Sequence, residues 1–286
     1  MRHAPAERGG AAPGPAGGQG VLVTGQPAAL RDIGELFENT SPDREVAAMA
    51  QRIARRLALR RRPPERRGGR GAGRLASVPY RYRSDDIDLD RTIEVLTERP
   101  VPEETDVVVR ERMHARRDVV LVVDVSGSMK GEKVRVAAAT VAALSEEVAA
   151  RGDRLALVAF WSDAALLKPL DAHVPAGRLL DQLLRIPARG LTNVGFALAV
   201  AHAELARSPA RHRTAVLLSD AVHNAGPDPR AVARRFPRLH VLLETDGEHD
   251  ALLAADLARL GRGRLAPVAT HRHVAPALNR LLGQVS

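Results

Sequence analysis

Asp124, Ser126 and Ser128 stand at alternate positions where the apolar run Val119 to Val125 ends, in the string Val-Leu-Val-Val-Asp-Val-Ser-Gly-Ser-Met-Lys over 120–130. Three side-chain oxygens so spaced, with Gly127 letting the backbone fold between them, can point toward one small hard cation. That is the chemistry of ligation rather than of a catalytic triad. Two later segments add oxygens of the same kind. Gly190-Leu-Thr-Asn193 offers Thr192, and Val216-Leu-Leu-Ser-Asp220, at the end of another apolar run, offers Asp220. The plain alternative is a strand-to-helix turn in which Ser126 or Ser128 caps the next helix. The ion expected of such a set is magnesium, which takes octahedral oxygen ligands and retains waters, with manganese as a substitute.

These residues need elements that bring them together. From Asp118 onward, apolar strands alternate with helical patterns, which predicts a parallel sheet covered on both faces. Strands are expected at Val119 to Val125, Leu155 to Phe160, Thr214 to Leu218, Leu239 to Leu243 and Leu265 to Val268, with a short antiparallel edge at Ala164 to Leu167. Helices are expected at Lys133 to Ala150, Gly177 to Leu184, Val194 to Ala206, Pro229 to Arg235, Asp250 to Leu260 and Val274 to Leu282. In an open parallel sheet, ligands bind beyond the carboxyl ends of the strands. Asp124 to Ser128, Thr192 and Asp220 all fall at such ends or in the adjoining loops. A rim of Trp161, Asp163, His223 and Asp246 follows the same edge, with Trp161 as a partner anchor or, equally, a half-buried packing residue. His223 reads as a loop polar residue. His271 and His273 lack a third zinc ligand and read as a surface strand end.

The N-terminal half is organised differently. Residues 1–28 lack periodicity and read as a flexible tail. Residues 29–64 read as a helical region. Leu30, Ile33 and Phe37 recur at helical spacing, and Ser41-Pro42-Asp43 starts a longer helix whose stripe is Val46, Met49, Ala50, Ile53 and Leu57. Residues 65–85 form an Arg/Gly-rich linker, and 86–117 a helix and strand extension leading into the main domain at 118–286. Within the extension, Asp88 or Asp90 is expected to cap a helix. A strand at Asp106 to Met113 is expected to pair antiparallel with the strand that begins at Asp118.

Composition narrows the function classes. The chain has 286 residues, 45% hydrophobic and 27% charged, which are globular values, and its 2% of aromatics leaves the core to Val, Leu and Ala. Without cysteine there are no disulfides or thiolate metal sites. Met1 to Gln19 lacks the apolar stretch of a secretory signal, and no run approaches the roughly 20 apolar residues of a membrane span, so the cytoplasm is the expected location. The formal charge of +9 rests mostly on arginine. The arginines from Arg52 to Arg74 lack interleaved aromatics, so a solvated helix face and linker are favoured over nucleic-acid binding. There is no Gly-x-Ser-x-Gly elbow, and Gly127 to Lys133 misses phosphate-loop spacing, so no enzymatic activity is expected.

Asp124-x-Ser126-x-Ser128 with distant Thr192 and Asp220 resembles the metal-ion-dependent adhesion site (MIDAS) of von Willebrand factor type A (vWA) domains. The resemblance implies a doubly wound, mostly parallel, Rossmann-like α/β sheet with helices on both faces. It also implies direct magnesium ligation by Ser126 and Ser128, ligation by Thr192 in the engaged state, and roles for Asp124 and Asp220 directly or through water. On this resemblance, a partner Asp or Glu is expected to fill the last coordination position. The order Asp86-Ile-Asp-Leu-Asp-Arg-Thr-Ile93, the basic hairpin Val107 to Arg117 and then Val123 to Met129 is similar to that of magnesium chelatase D subunits and CoxE-like proteins. That similarity implies work with a separate AAA+ ATPase of the MoxR or chelatase-I type. Two alternatives accompany this reading: a chelatase subunit for metal insertion into a tetrapyrrole, and nucleic-acid or membrane-surface binding by the arginine-rich N-terminal region.

Overall fold

A computed structural model of the chain describes residues 21–23, 31–32, 48, 52, 74–80, 86–98, 101, 103–113, 116–127, 131–186 and 190–283. The strands are β1 (Val21–Val23), β2 (Arg31–Asp32), β3 (Arg74–Pro79), β4 (Val108–Met113), β5 (Arg117–Asp124), β6 (Arg154–Phe160), β7 (Ala164–Lys168), β8 (His212–Ser219), β9 (Leu239–Glu244) and β10 (Leu265–Val268). The helices are α1 (Leu89–Glu98), α2 (Glu132–Arg151), α3 (Ala176–Arg185), α4 (Val194–Ala206), α5 (Pro229–Ala233), α6 (Ala251–Leu260) and α7 (His271–Leu282).

The main sheet runs β10-β9-β8-β5-β6-β7-β1-β2. Pairing is parallel from β10 through β6, and β7 and β1 join antiparallel. Strand residues alternate between two cores because successive side chains leave opposite faces of a strand. Val119, Leu121, Val123 and Val125 face one core, while Val120 and Val122 face the other. On β6, Leu155, Leu157 and Ala159 alternate with Ala156, Val158 and Phe160 in the same way. Helices α2, α3 and α7 cover the first face, and α4, α5 and α6 the second. This is a doubly wound α/β sheet, and its aliphatic strands are buried on both sides, as a parallel sheet requires.

From β5 the chain crosses to β6 on one side, whereas β8 lies on the other and leads out to β9 and β10. The strand order therefore reverses between β5 and β8. At such a switch point the loops leave a crevice beyond the carboxyl ends of the strands.

Several readings of the N-terminal half and of the C-terminal helix are corrected. Val21–Val23, read as tail, pairs with β7, so Ala164–Lys168 is not the sheet edge. A short β-branched and apolar triplet suits the open ladder that β7 presents. Arg31–Asp32, read at the start of a helical pattern, pairs as a strand with β1. Arg74–Pro79, read as the end of a linker, pairs with β4 over the full length of both strands. β4 consequently does not pair with β5, whose two edges are already taken by β6 and β8. Finally, His271 and His273 lie in the first turns of α7 rather than at a strand end. The stripe Val46, Met49, Ala50, Ile53 and Leu57 lies outside the described residues, of which Ala48 and Arg52 are helical and exposed. In the extension, the Asp88 carboxylate accepts a hydrogen bond from Arg91 N at 3.4 Å at the start of α1. Among the described residues, no helix is long and apolar enough to cross a membrane.

Candidate metal centre

Asp124 is the last residue of β5, beside the switch point, and only 9% of it is exposed. Its Oδ1 accepts a hydrogen bond from Ser126 N at 2.9 Å, closing a local turn two residues on. Gly127 follows with φ 72°, a left-handed backbone that glycine adopts without the Cβ clash of other residues. Oδ2 accepts from Ser219 Oγ at 2.6 Å, and that hydroxyl in turn accepts from Ala221 N at 2.9 Å. Burial pushes the Asp124 carboxyl up to about 6, although the bonds from Ser126 and Ser219 oppose the rise.

Asp220 follows β8 and turns its carboxylate by the same local device, Oδ1 accepting from Val222 N at 3.1 Å. The intervening Ala221 is fully buried with φ 61°, a conformation costing a residue with a Cβ about 1 to 2 kcal/mol. Asp220 Oδ2 lies 2.9 Å from Lys133 Nζ, on the first turn of α2. Asp250 N donates to Asp220 O at 2.9 Å, tying the loop before α6 to the same point.

Thr192 is buried in the loop before α4. Asn224 clasps it from the β8 side: Thr192 N donates to Asn224 Oδ1 at 2.6 Å, and Asn224 N donates to Thr192 O at 3.3 Å. Asn193 N donates to Trp161 O at 2.8 Å, and Asn193 Oδ1 caps α4 by accepting from Phe196 N at 3.0 Å. Asp124, Ser126, Thr192 and Asp220 thus share one sheet edge, fixed by bonds among the loops that follow β5, β6 and β8. Ser128 lies outside the described residues.

Two neighbours of this edge carry no signal in the sequence: Ser219 looks like an ordinary strand residue and Lys133 like an ordinary helix residue. Glu244 ends β9 beside them, where its place after an apolar strand points to the same rim. Glu244 is buried, and burial pushes its carboxyl up to about 8; Lys133 opposes the shift, while Asp124, Asp220 and exposed Asp246 add to it. The signal available for Glu244 is positional, since it flanks the same strand ends as the five candidates.

The rim reading changes at Trp161. Only 7% of it is exposed, and it continues the inward register of β6 into the core under α2 and α3, so it is not a surface anchor. Asp163 and His223 are half-buried, and His223 Nδ1 is a buried nitrogen for which no partner is present among the described residues. His271 Nδ1 lies 2.6 Å from Glu132 Oε1, linking the starts of α7 and α2.

Among the described residues, no three His, Asp or Glu side chains gather as a metal cluster. Any metal at this edge must therefore draw on hydroxyls and backbone-turned carboxylates, which is the chemistry of Asp124, Ser126, Thr192 and Asp220. Two carboxylates held away from water beside neutral hydroxyls fit a hard divalent cation.

Residues 119–223 match the family model of the von Willebrand factor type A domain. A protein of Mycobacterium tuberculosis, named only as uncharacterized, is 35% identical over 144 residues, which are 48% of this chain; the chain spans 22% of that relative's length. Among solved structures, an aerotolerance-related membrane protein of Bacteroides fragilis is similar at 17% identity and a TM-score of 0.48, with 58% of this chain and 98% of that chain covered. The manganese-loaded TRAP protein of Plasmodium vivax is similar at 19% identity and a TM-score of 0.47, with 57% of this chain and 72% of that chain covered.

Proposed function

We propose that the vWA domain is a metal-dependent interaction module whose site binds a carboxylate from a partner protein. The carrying observation is that Asp124, Ser126, Thr192 and Asp220, from three separate loops, lie at one switch-point edge whose loops are tied to one another by hydrogen bonds. Asp124, Ser126, Thr192 and Asp220, with Ser128 from the sequence pattern, hold magnesium. The bound ion supplies an electrophilic position that an Asp or Glu of the partner fills.

The chain's own residues set the terms of that contact. Burial makes an ionised Asp124 costly without a cation beside it, so a dication is favoured there. Neutral hydroxyls keep the charge of the site low enough for an incoming carboxylate to be attracted rather than repelled. Exposed Asp246 and half-buried Asp163 and His223 select among partners at the rim. The module acts without enzymatic activity, in the cytoplasm, alongside a separate AAA+ ATPase of the MoxR or chelatase-I type in assembly or maturation of a client; the order of acidic helix, basic strand and metal motif supports this part.

Recovery of partners on the immobilised full chain tests the reading. Magnesium is expected to retain them, and chelator or Asp124→Ala to release them. Equal recovery under all three conditions refutes a metal-bridged contact.

A further inference from the structure

Lys133 is oddly placed for a structural lysine. It sits one residue inside the start of α2, where the helix dipole disfavours a cation, and its side chain is 31% exposed. Yet its ammonium lies 2.9 Å from Asp220 Oδ2, and it also feels the charges of Glu244 and Asp124. Asp220, after β8, pairs with the ammonium, and Asp124 and Glu244 at the ends of β5 and β9 lie near enough to act on its charge.

We propose that Lys133 is a built-in counter-cation of the candidate metal centre, occupying Asp220 when no metal is bound and yielding it when a divalent cation enters. The inference rests on the metal reading above and assigns that site its affinity control. A dication near Asp220 and an ammonium at hydrogen-bond distance from the same carboxylate repel one another at short range inside a partly buried edge, where the interaction is weakly screened. The metal must therefore displace Lys133, and the cost of displacement lowers its affinity. The lysine at the same time stabilises the metal-free edge by pairing with the Asp220 carboxylate. Freed at the rim, the ammonium has the reach of a flexible four-carbon stem and can swing into solvent without moving α2.

The experiment titrates the full chain with magnesium chloride by calorimetry and measures thermal unfolding with chelator and with saturating magnesium, for wild type, Lys133→Met and Lys133→Gln. Both variants are expected to bind magnesium about tenfold more tightly or better, since a full positive charge has been removed from the site. Both are expected to unfold at lower temperature than wild type in chelator, with the gap closing in magnesium. A lysine that merely braces α2 lowers the midpoint equally in both media, and one that orients Asp220 for the metal weakens binding; either result overturns the proposal. If neither wild type nor variants bind magnesium, the metal reading itself fails and the proposal with it. Should one variant not fold, the other decides by the same criteria.

Discussion

Removing the Ser219 hydroxyl is the sharpest test of how the site is held. Ser219 is fully buried, donates to Asp124 Oδ2 at 2.6 Å and accepts from Ala221 N at 2.9 Å. Ser219→Ala changes no backbone and leaves a void of one oxygen, but it strands two buried polar groups. A hydrogen bond to an ionised carboxylate contributes about 1.5 to 3 kcal/mol, and a neutral one about 1 kcal/mol. The expected loss in metal-free protein at pH 7.5 is therefore about 2 to 4 kcal/mol, or about 5 to 15 °C in the unfolding midpoint for a domain of this size. The loss also depends on pH in a defined direction. Asp124 has its carboxyl raised to about 6, and Ser219 is one of the bonds opposing that rise, so the variant carboxyl titrates higher still. At pH 5 the carboxyl is neutral in both proteins and the penalty shrinks to that of neutral hydrogen bonds, about 1 to 2 kcal/mol. Thermal unfolding with chelator at the two pH values reads both numbers. An unchanged midpoint, or an equal penalty at pH 5 and pH 7.5, refutes the assignment of Ser219 as the donor that holds Asp124 charged.

Two further outcomes follow from the same geometry. Glu244 has its carboxyl raised from 4.5 to about 8, so the folded state holds a proton that the unfolded state gives up earlier. Its contribution is full below pH 4.5 and is lost as pH rises to about 8, so metal-free Glu244→Gln is expected to match wild type at pH 4 and exceed it at pH 8.5, by on the order of a few kcal/mol. Denaturant melts at the two pH values check this, and identical pH slopes contradict it. A Cβ on Gly263 would lie 1.7 Å from the carbonyl oxygen of Leu239, at the first residue of β9. Gly263→Ala is expected to destabilise by more than about 4 kcal/mol, because strand backbone cannot retreat as a side chain can; a urea midpoint close to wild type rules that out.

Much of the α/β sheet is legible in the residues alone, for a physical reason. Strands buried on both faces must be apolar throughout, so Val119 to Val125 and Leu239 to Leu243 stand out as runs, and Val194 to Ala206 shows the longer period of a helix. The strand β10 and helix α4 carry the boundaries expected from their residues alone. Trp161 is open in sequence between a partner anchor and a packing residue, and the two-residue period of β6, continued one residue beyond the strand, turns the ring into the core.

The residue types and their order were enough to mark Asp124, Ser126, Ser128, Thr192 and Asp220 as oxygen donors near strand ends, because ligation needs particular atoms and a parallel sheet puts its loops on one edge. Pairing partners and charge balance were decided only by tertiary structure. β4 turns to β3 because both edges of β5 are already filled, and Val21–Val23 joins β7 because that edge was open. Lys133 and Ser219 are unremarkable in sequence and acquire their roles from distance. An ammonium 2.9 Å from Asp220 and a hydroxyl 2.6 Å from Asp124 depend on residues 87 and 95 positions apart being folded onto one edge.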